Sequence, residues 1–175
     1  MSSSIAVFGS INMDLVIFSQ DKPSEGETIF GNSFHTFQGG KGANQAVAAS
    51  RLEIDVSFIG KIGVDVFGKQ LRDNLIEENI NVEYLEEHNS ESGVAFINVF
   101  EKTSENQIIV VPGANSYVES NQVPDELLSS TDILISQLEI PPNQIEDLFS
   151  RAGNHDCFRI LNAAPIISFE KNLIS

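Results

Sequence analysis

The sequence predicts an α/β fold on a mostly parallel sheet, with a small strand-rich appendage. Three observations carry that expectation. Short apolar runs alternate with alanine-rich or amphipathic stretches along the whole chain. Two stretches, residues 28–37 and 94–111, break the alternation because strand-like runs follow each other there with no helix between. The chain has 175 residues, 41% hydrophobic and 20% charged, which is a globular mixture long enough to bury a core without disulfides.

Taken in order, Ile5-Ala6-Val7-Phe8 reads as a buried strand stopped by Gly9-Ser10. Residues 15–18 form a second short apolar run. Lys22-Pro23-Ser24-Glu25-Gly26 is loop chemistry, and residues 28–30 and 34–37 read as short strands around a turn at Gly31-Asn32. The Gly39-Gly40-Lys41-Gly42 run opens a strongly helical stretch, Ala43-Asn44-Gln45-Ala46-Val47-Ala48-Ala49. Residues 56–59 are a strand. Asp65 is placed to cap a helix carrying Phe67, Leu71 and Leu75 on one apolar stripe. Residues 82–85 are extended. Residues 94–100 and 108–111, around a polar loop at 102–106, read as a hairpin. A helix is expected from about 119 to 128, a strand at 133–136, a helix opened by Pro141-Pro142 and running to about Ala152, and a last strand at 158–161. The two strand-rich stretches read either as a candidate lid, with strands at about 15–37 and 93–112, or as edge strands of the main sheet.

Composition excludes several functions. With 25 acidic and 10 basic residues the formal charge is −15, so a broad basic grip on nucleic acid or an anionic membrane is not expected. Cys157 is the single cysteine, which rules out an internal disulfide and a cysteine-rich zinc site and fits a reducing cytoplasm. It reads as a core filler. His35, His88 and His155 stand in no metal-ligand spacing, and Glu86-Glu87 reads as a solvated acidic loop.

Three constellations carry chemistry. Asn12 and Asp14 follow the first strand, where parallel sheets gather ligands. A carboxylate that accepts beside an amide that donates and accepts suits vicinal hydroxyls. The same two residues equally suit a turn that bonds its own backbone. In Gly39-Gly40-Lys41-Gly42-Ala43-Asn44, the glycines allow close approach to a ligand, and the helix that follows is expected to offer free N–H groups to it. Lys41 adds a donor, with Asn44 one turn on. The spacing matches neither a P-loop nor a dinucleotide fingerprint, and a helix start needing positive φ is the plain alternative. Glu139 follows a strand between Leu138 and Ile140, as a site residue or as a solvated loop carboxylate.

Together and in order, these segments resemble the ribokinase (PfkB-type) carbohydrate kinases. The resemblance rests on Gly9-Ser10-Ile11-Asn12-Met13-Asp14, Pro23-Ser24-Glu25-Gly26-Glu27-Thr28, Gly39-Gly40-Lys41-Gly42-Ala43-Asn44-Gln45-Ala46 and Gly60-Lys61-Ile62-Gly63-Val64-Asp65-Val66-Phe67-Gly68. It continues through Ser92-Gly93-Val94-Ala95, Pro112-Gly113-Ala114-Asn115, Gln137-Leu138-Glu139 and Leu161-Asn162-Ala163-Ala164-Pro165. It implies a truncated ribokinase-like fold: a Rossmann-like, mostly parallel sheet with helices on both faces, plus a β-sheet lid. It implies ATP-dependent phosphorylation of D-ribose to ribose 5-phosphate, or of a related sugar or nucleoside, with Mg2+ and a monovalent cation such as K+. A homodimer through the lid is implied as well. By position, Asn12, Asp14, Gly39, Gly40, Lys41, Asn44 and Glu139 would hold the sugar, with Ala95 and Ile97 covering it from the lid.

The family's Gly-Ala-Gly-Asp motif, with its catalytic base and anion hole, and its Asn-x-x-Glu motif are both absent from these residues. The expectation is the sugar-binding part of the enzyme, with no catalytic residue and no metal ligand of its own and no useful kinase activity alone. A non-catalytic sugar-binding or regulatory module is the alternative. Because Ser175 falls soon after a strand and its loop, the expected sheet has an unpaired edge prone to self-association.

Overall fold

The computed structural model describes residues 4–166. Five strands form a fully parallel sheet: β1 (Ser4–Phe8), β4 (Asp55–Gly63), β5 (Leu85–His88), β8 (Ile133–Gln137) and β9 (Phe158–Asn162), in the order β5-β4-β1-β8-β9. A second sheet has the order β3-β2-β6-β7, from β2 (Asn12–Ser19), β3 (Ser33–Gly39), β6 (Gly93–Phe100) and β7 (Glu105–Val111). The strand-rich stretches therefore build a sheet of their own, and β2 and β6 run parallel at its centre.

Alternation along β1 explains the layers. Ile5 and Val7 point to one face and Ala6 and Phe8 to the other. On the first face they join Phe58 and Ile62 of β4, the small side chains Ala43, Ala46 and Ala49 of α1 (Lys41–Ser50), and Leu71 and Leu75 of α2 (Val66–Glu77). On the second they join Leu134, Leu128 of α3 (Asp125–Ser130), and Ile145, Leu148 and Ala152 of α4 (Pro142–Ala152). Cys157 is buried in this second cluster, and burial pushes its thiol up. Helices thus cover both faces, as a parallel sheet requires.

Several expectations need correction. Residues 28–30 form no strand, and Phe30 stands 96% exposed in the loop before β3. Its neighbours Gly26, with φ 76, and Gly31 favour turns over pairing. The extended stretch near 82–85 is a turn, and β5 starts at Leu85. Glu86 and Glu87 are therefore strand residues and not a free loop. Glu86 meets the buried Lys61 ammonium at 3.4 Å, and Glu87 lies 3.8 Å from Arg72. Glu119 bonds the same Lys61 at 3.1 Å. The helix expected over 119–128 is split into a 3-10 turn, Ser120–Gln122, and α3. Pro124 separates them, having no N–H to continue the ladder and forcing the residue before it out of helical geometry.

Asp65 caps α2 as expected, accepting from Gly68 N at 2.7 Å. It does more: it also accepts from Ser92 N at 2.7 Å and from Ser92 Oγ at 2.8 Å, while that hydroxyl accepts from Gly63 N at 3.0 Å. One carboxylate thus ties β4, α2 and the start of β6 together. Burial pushes the Asp65 carboxyl up, but the hydrogen bonds from Ser92, Gly68 and Phe67 outweigh it and hold it below the ordinary carboxylate range.

A group with a depressed folded pKa stabilises the fold above its unfolded value, and that support is lost as pH falls through the folded one. Asp65→Ala is expected to cost about 1–2 kcal/mol, the loss of a cap and a charged hydrogen bond. Its melting midpoint should fall by several degrees at neutral pH, and the gap to the wild type should narrow in acid. Thermal melts at neutral and acid pH check this, and an unchanged midpoint contradicts it.

Candidate functional site

Connections from β1 travel toward β4, whereas β8 joins on the opposite side of β1. The carboxyl ends of β1 and β8 therefore flank a topological switch point, the place where open α/β sheets open a crevice. Gly9-Ser10 leaves β1 there and Leu138-Glu139 leaves β8. Helix α1 aims its N-terminus at the same spot.

The helix N-terminus is already occupied. No side chain of its own cap residue bonds it, because that residue is Gly40, at φ 92. Lys41 N donates to Glu139 Oε2 at 2.9 Å, Gly42 N to Ser10 Oγ at 3.3 Å, Ala43 N to Ser10 O at 2.9 Å, and Asn44 N to Gly40 O at 2.9 Å. The last of these is the helix's own first bond, while the N–H groups of Lys41, Gly42 and Ala43, which a helix leaves orphaned, are all satisfied from outside it. The free donors expected from the sequence are absent, and the strand ends consume them. Ser10 Oγ also donates to Glu139 Oε2 at 2.6 Å, and Lys41 Nζ meets Glu139 Oε1 at 3.2 Å. The Glu139 side chain is 14% exposed and that of Lys41 38%, so the ammonium reaches solvent while the carboxylate is held.

Asp14 lies half-buried on β2 beside this pair. Its burial pushes its carboxyl up, the Glu139 carboxylate pushes it further, and Lys41 pulls partly back. Space for it is made by glycine. Gly39 pairs across from Asn12, and a Cβ there would fall on the Asp14 carboxylate. A Cβ on Gly40 would lie 2.8 Å from Ile11 Cα, besides the strain of its positive φ.

Asn12 is 3% exposed, and its Oδ1 accepts from Asn115 Nδ2 at 2.8 Å. Asn12 and Glu139 line a cleft of about 360 Å³ together with Val110, Pro112, Leu138 and Pro141. That is the size of a small-ligand site, walled by apolar residues with a few convergent polar groups. Ala95 sits in register with Asp14 on the neighbouring strand and is buried. Ile97 shares that face two residues farther along, paired with Val16. Asn44 is exposed on α1, and its side chain enters none of the cluster's bonds.

Sequence reasoning thus placed Asn12, Asp14, Gly39, Gly40, Lys41 and Glu139 in one region, and missed two residues. Ser10 and Asn115 are both fully enclosed and both bond the site residues. A hydroxyl directly after a buried strand was the available signal for Ser10; for Asn115 it was an amide closing Pro112-Gly113-Ala114-Asn115.

The profile of the pfkB family of carbohydrate kinases matches residues 2–172. The chain is 40% identical over 164 residues to the ribokinase of Bacillus subtilis, covering 92% of this chain and 55% of that protein. It is 39% identical over 180 residues to the ribokinase of Schizosaccharomyces pombe, covering 98% and 56%. Among solved structures, the ribokinase of Thermotoga maritima superposes with a TM-score of 0.88 at 30% identity, over 99% of this chain and 56% of that one. The Arabidopsis thaliana ribokinase complexed with ribose and ATP does so with a TM-score of 0.88 at 28% identity, over 99% and 57%. The chain spans a little over half the length of the curated relatives it matches.

Raising the folded pKa of Asp14 makes its ionised form a burden on the fold. The burden is nil below the unfolded carboxylate value, about 3.9, and grows as pH rises through the folded one. Asp14→Asn is therefore expected to raise the melting midpoint at neutral pH, with the gain vanishing in acid. Melts across that range check it; a destabilised variant at neutral pH contradicts it.

Proposed function

The chain belongs to the pfkB family of carbohydrate kinases, and from that premise we propose that it forms the sugar-binding half of a ribokinase, an enzyme transferring the ATP γ-phosphate to the 5-hydroxyl of D-ribose. The observation that carries the reading is the convergence of Asp14, Lys41 and Glu139 at the switch point, in a cradle shaped by Gly39 and Gly40. A polyol is held by directed hydrogen bonds from groups of both polarities. Asp14 supplies an acceptor, Lys41 a charged donor, and Asn12 an amide beside them. Ala95 and Ile97 offer an apolar face to the sugar's carbons.

In this reading the second sheet is the lid, closing over the sugar so that water does not compete with its hydroxyl for the phosphate. Phe37, Ile108 and Val110 stand exposed on the lid, as do Phe34, Phe96 and Ile109. Such an apolar surface supports pairing of two lids in a homodimer. The lone, buried cysteine supports a reducing, cytoplasmic setting in this reading.

The groups for phosphoryl transfer fit poorly onto these residues. Among the described residues no cluster of three or more His, Cys, Asp or Glu side chains is placed to hold a metal ion. Gly113-Ala114-Asn115 offers no base, since the Asn115 amide is enclosed and takes no proton at neutral pH. ATP, Mg2+ and a monovalent cation are therefore assigned to the portion that the longer relatives possess in addition, together with the base and anion hole. Among the described residues strand β9 has a partner on one side only, with Phe158 and Ile160 exposed along it. That edge is where a continuing sheet would add.

Calorimetric titration of the chain with D-ribose tests the reading. Saturable binding is expected, without ribose-dependent ATP consumption by these 175 residues. Asp14→Ala should weaken it at least about tenfold, since a hydrogen bond to a charged group contributes about 1.5–3 kcal/mol. Unchanged ribose affinity in that variant contradicts the pocket. A second reading, deoxyribose in place of ribose, is favoured by one observation: deoxyribokinase of Salmonella typhimurium is 34% identical over 168 residues. Titrating both sugars separates them.

A further inference from the structure

We propose that Asn115, buried in the wall of the cleft beside Asn12, is the positioning residue that decides which end of the Asn12 carboxamide faces the ligand. The inference rests on the sugar-binding reading above and names a determinant of its selectivity.

Asn115 is 1% exposed and lies in the 3-10 turn Gly113–Tyr117 that follows β7. Its Oδ1 accepts from Ile11 N at 3.0 Å and its Nδ2 donates to Ile11 O at 3.0 Å. The side-chain amide thus pairs with the backbone between β1 and β2 as a neighbouring strand would. The same Nδ2 reaches Pro112 O at 3.0 Å and Asn12 Oδ1 at 2.8 Å. Two hydrogens serve three oxygens, so one is shared. The amide of Asn115 cannot turn over, because its oxygen would then face two backbone carbonyls and its nitrogen would face an N–H.

That rigidity is handed on to Asn12. Its Oδ1 is used internally, and its Nδ2 has no partner among the described residues, on a side chain that lines the cleft. Asn12 therefore presents donors only. Asp14, two residues on and on the same strand face, presents an acceptor. A ligand satisfies both when one of its oxygens accepts from Asn12 and a hydroxyl beside it donates to Asp14. Gly93, the first residue of β6, leaves room for the arrangement: a Cβ there would land on the bonded atoms of Asn12 and Asn115 and lie 2.9 Å from Pro112 O. The orientation is thus set where β2 and β6 begin and β7 ends.

Two measurements on the 175-residue chain test this. In the first, side-chain amide protons are followed by NMR without sugar. Those of Asn115, which are hydrogen-bonded, are expected to exchange with water at least roughly tenfold more slowly than those of Asn12, which have no partner among the described residues; the opposite order overturns the proposal. In the second, D-ribose is titrated against Asn115→Leu in two backgrounds. Binding should weaken at least about tenfold in the wild-type background and less than about twofold alongside Asn12→Ala, since the two residues act as one unit. Equal factors in both backgrounds overturn the proposal. The exchange measurement needs no variant, so it decides the matter where Asn115→Leu does not fold. A wild-type chain that binds no ribose overturns the sugar-binding reading instead and leaves the exchange order to judge the orientation.

Discussion

The Glu139 carboxylate holds the centre of this molecule together. It accepts from Ser10, in the connection that follows β1, and from the first N–H of α1, and it pairs with the Lys41 side chain. One anion therefore closes the gap between two strands that diverge at the switch point, and does so at the positive end of a helix. A carboxylate there is stabilised by the helix dipole, by roughly 0.3–1 kcal/mol at exposed sites and more when partly buried. The arrangement also explains why α1 starts on glycine with no side-chain cap. Its cap comes from a residue 98 positions later in the chain.

This tie has a consequence for chemistry. A helix N-terminus with unsatisfied N–H groups would attract an anion such as phosphate. Here that capacity is spent on Glu139 and Ser10, and what gathers around Glu139, which lines the cleft, is a set of side chains with opposed polarity, Asp14 and Lys41. Such a set suits a neutral polyol better than an anion. Burial raises the Asp14 pKa, the nearby Glu139 carboxylate raises it further, and Lys41 offsets only part of this. A ligand that donates hydroxyl hydrogens to Asp14 relieves the cost of holding a carboxylate there.

Most of the fold was legible because its signals are local. Alternation in β1, the alanine stripe of α1 and the Asp65 cap each lie within a few residues of what they determine. Two failures had local signals, the glycines around residues 28–30 and Pro124 inside the expected helix. The others were non-local: nothing near Glu86 announces that it neutralises a buried Lys61. At the site, Asn12, Asp14, Lys41 and Glu139 were readable as polar residues just beyond strands. The satisfaction of the α1 N-terminus was not, since it depends on Ser10 and Glu139 arriving together from distant segments. Asn115 escaped for the same reason: its partners, Ile11 and Asn12, are more than a hundred residues away.

In the proposed function these side chains form one cup for a small sugar. A crystal structure of the chain grown with D-ribose tests it most directly. The sugar is expected at the switch point, with hydroxyls within hydrogen-bond distance of Asp14 and Asn12 and its carbons against Ala95. Ribose bound elsewhere, or at this place without contact to Asp14, would contradict it.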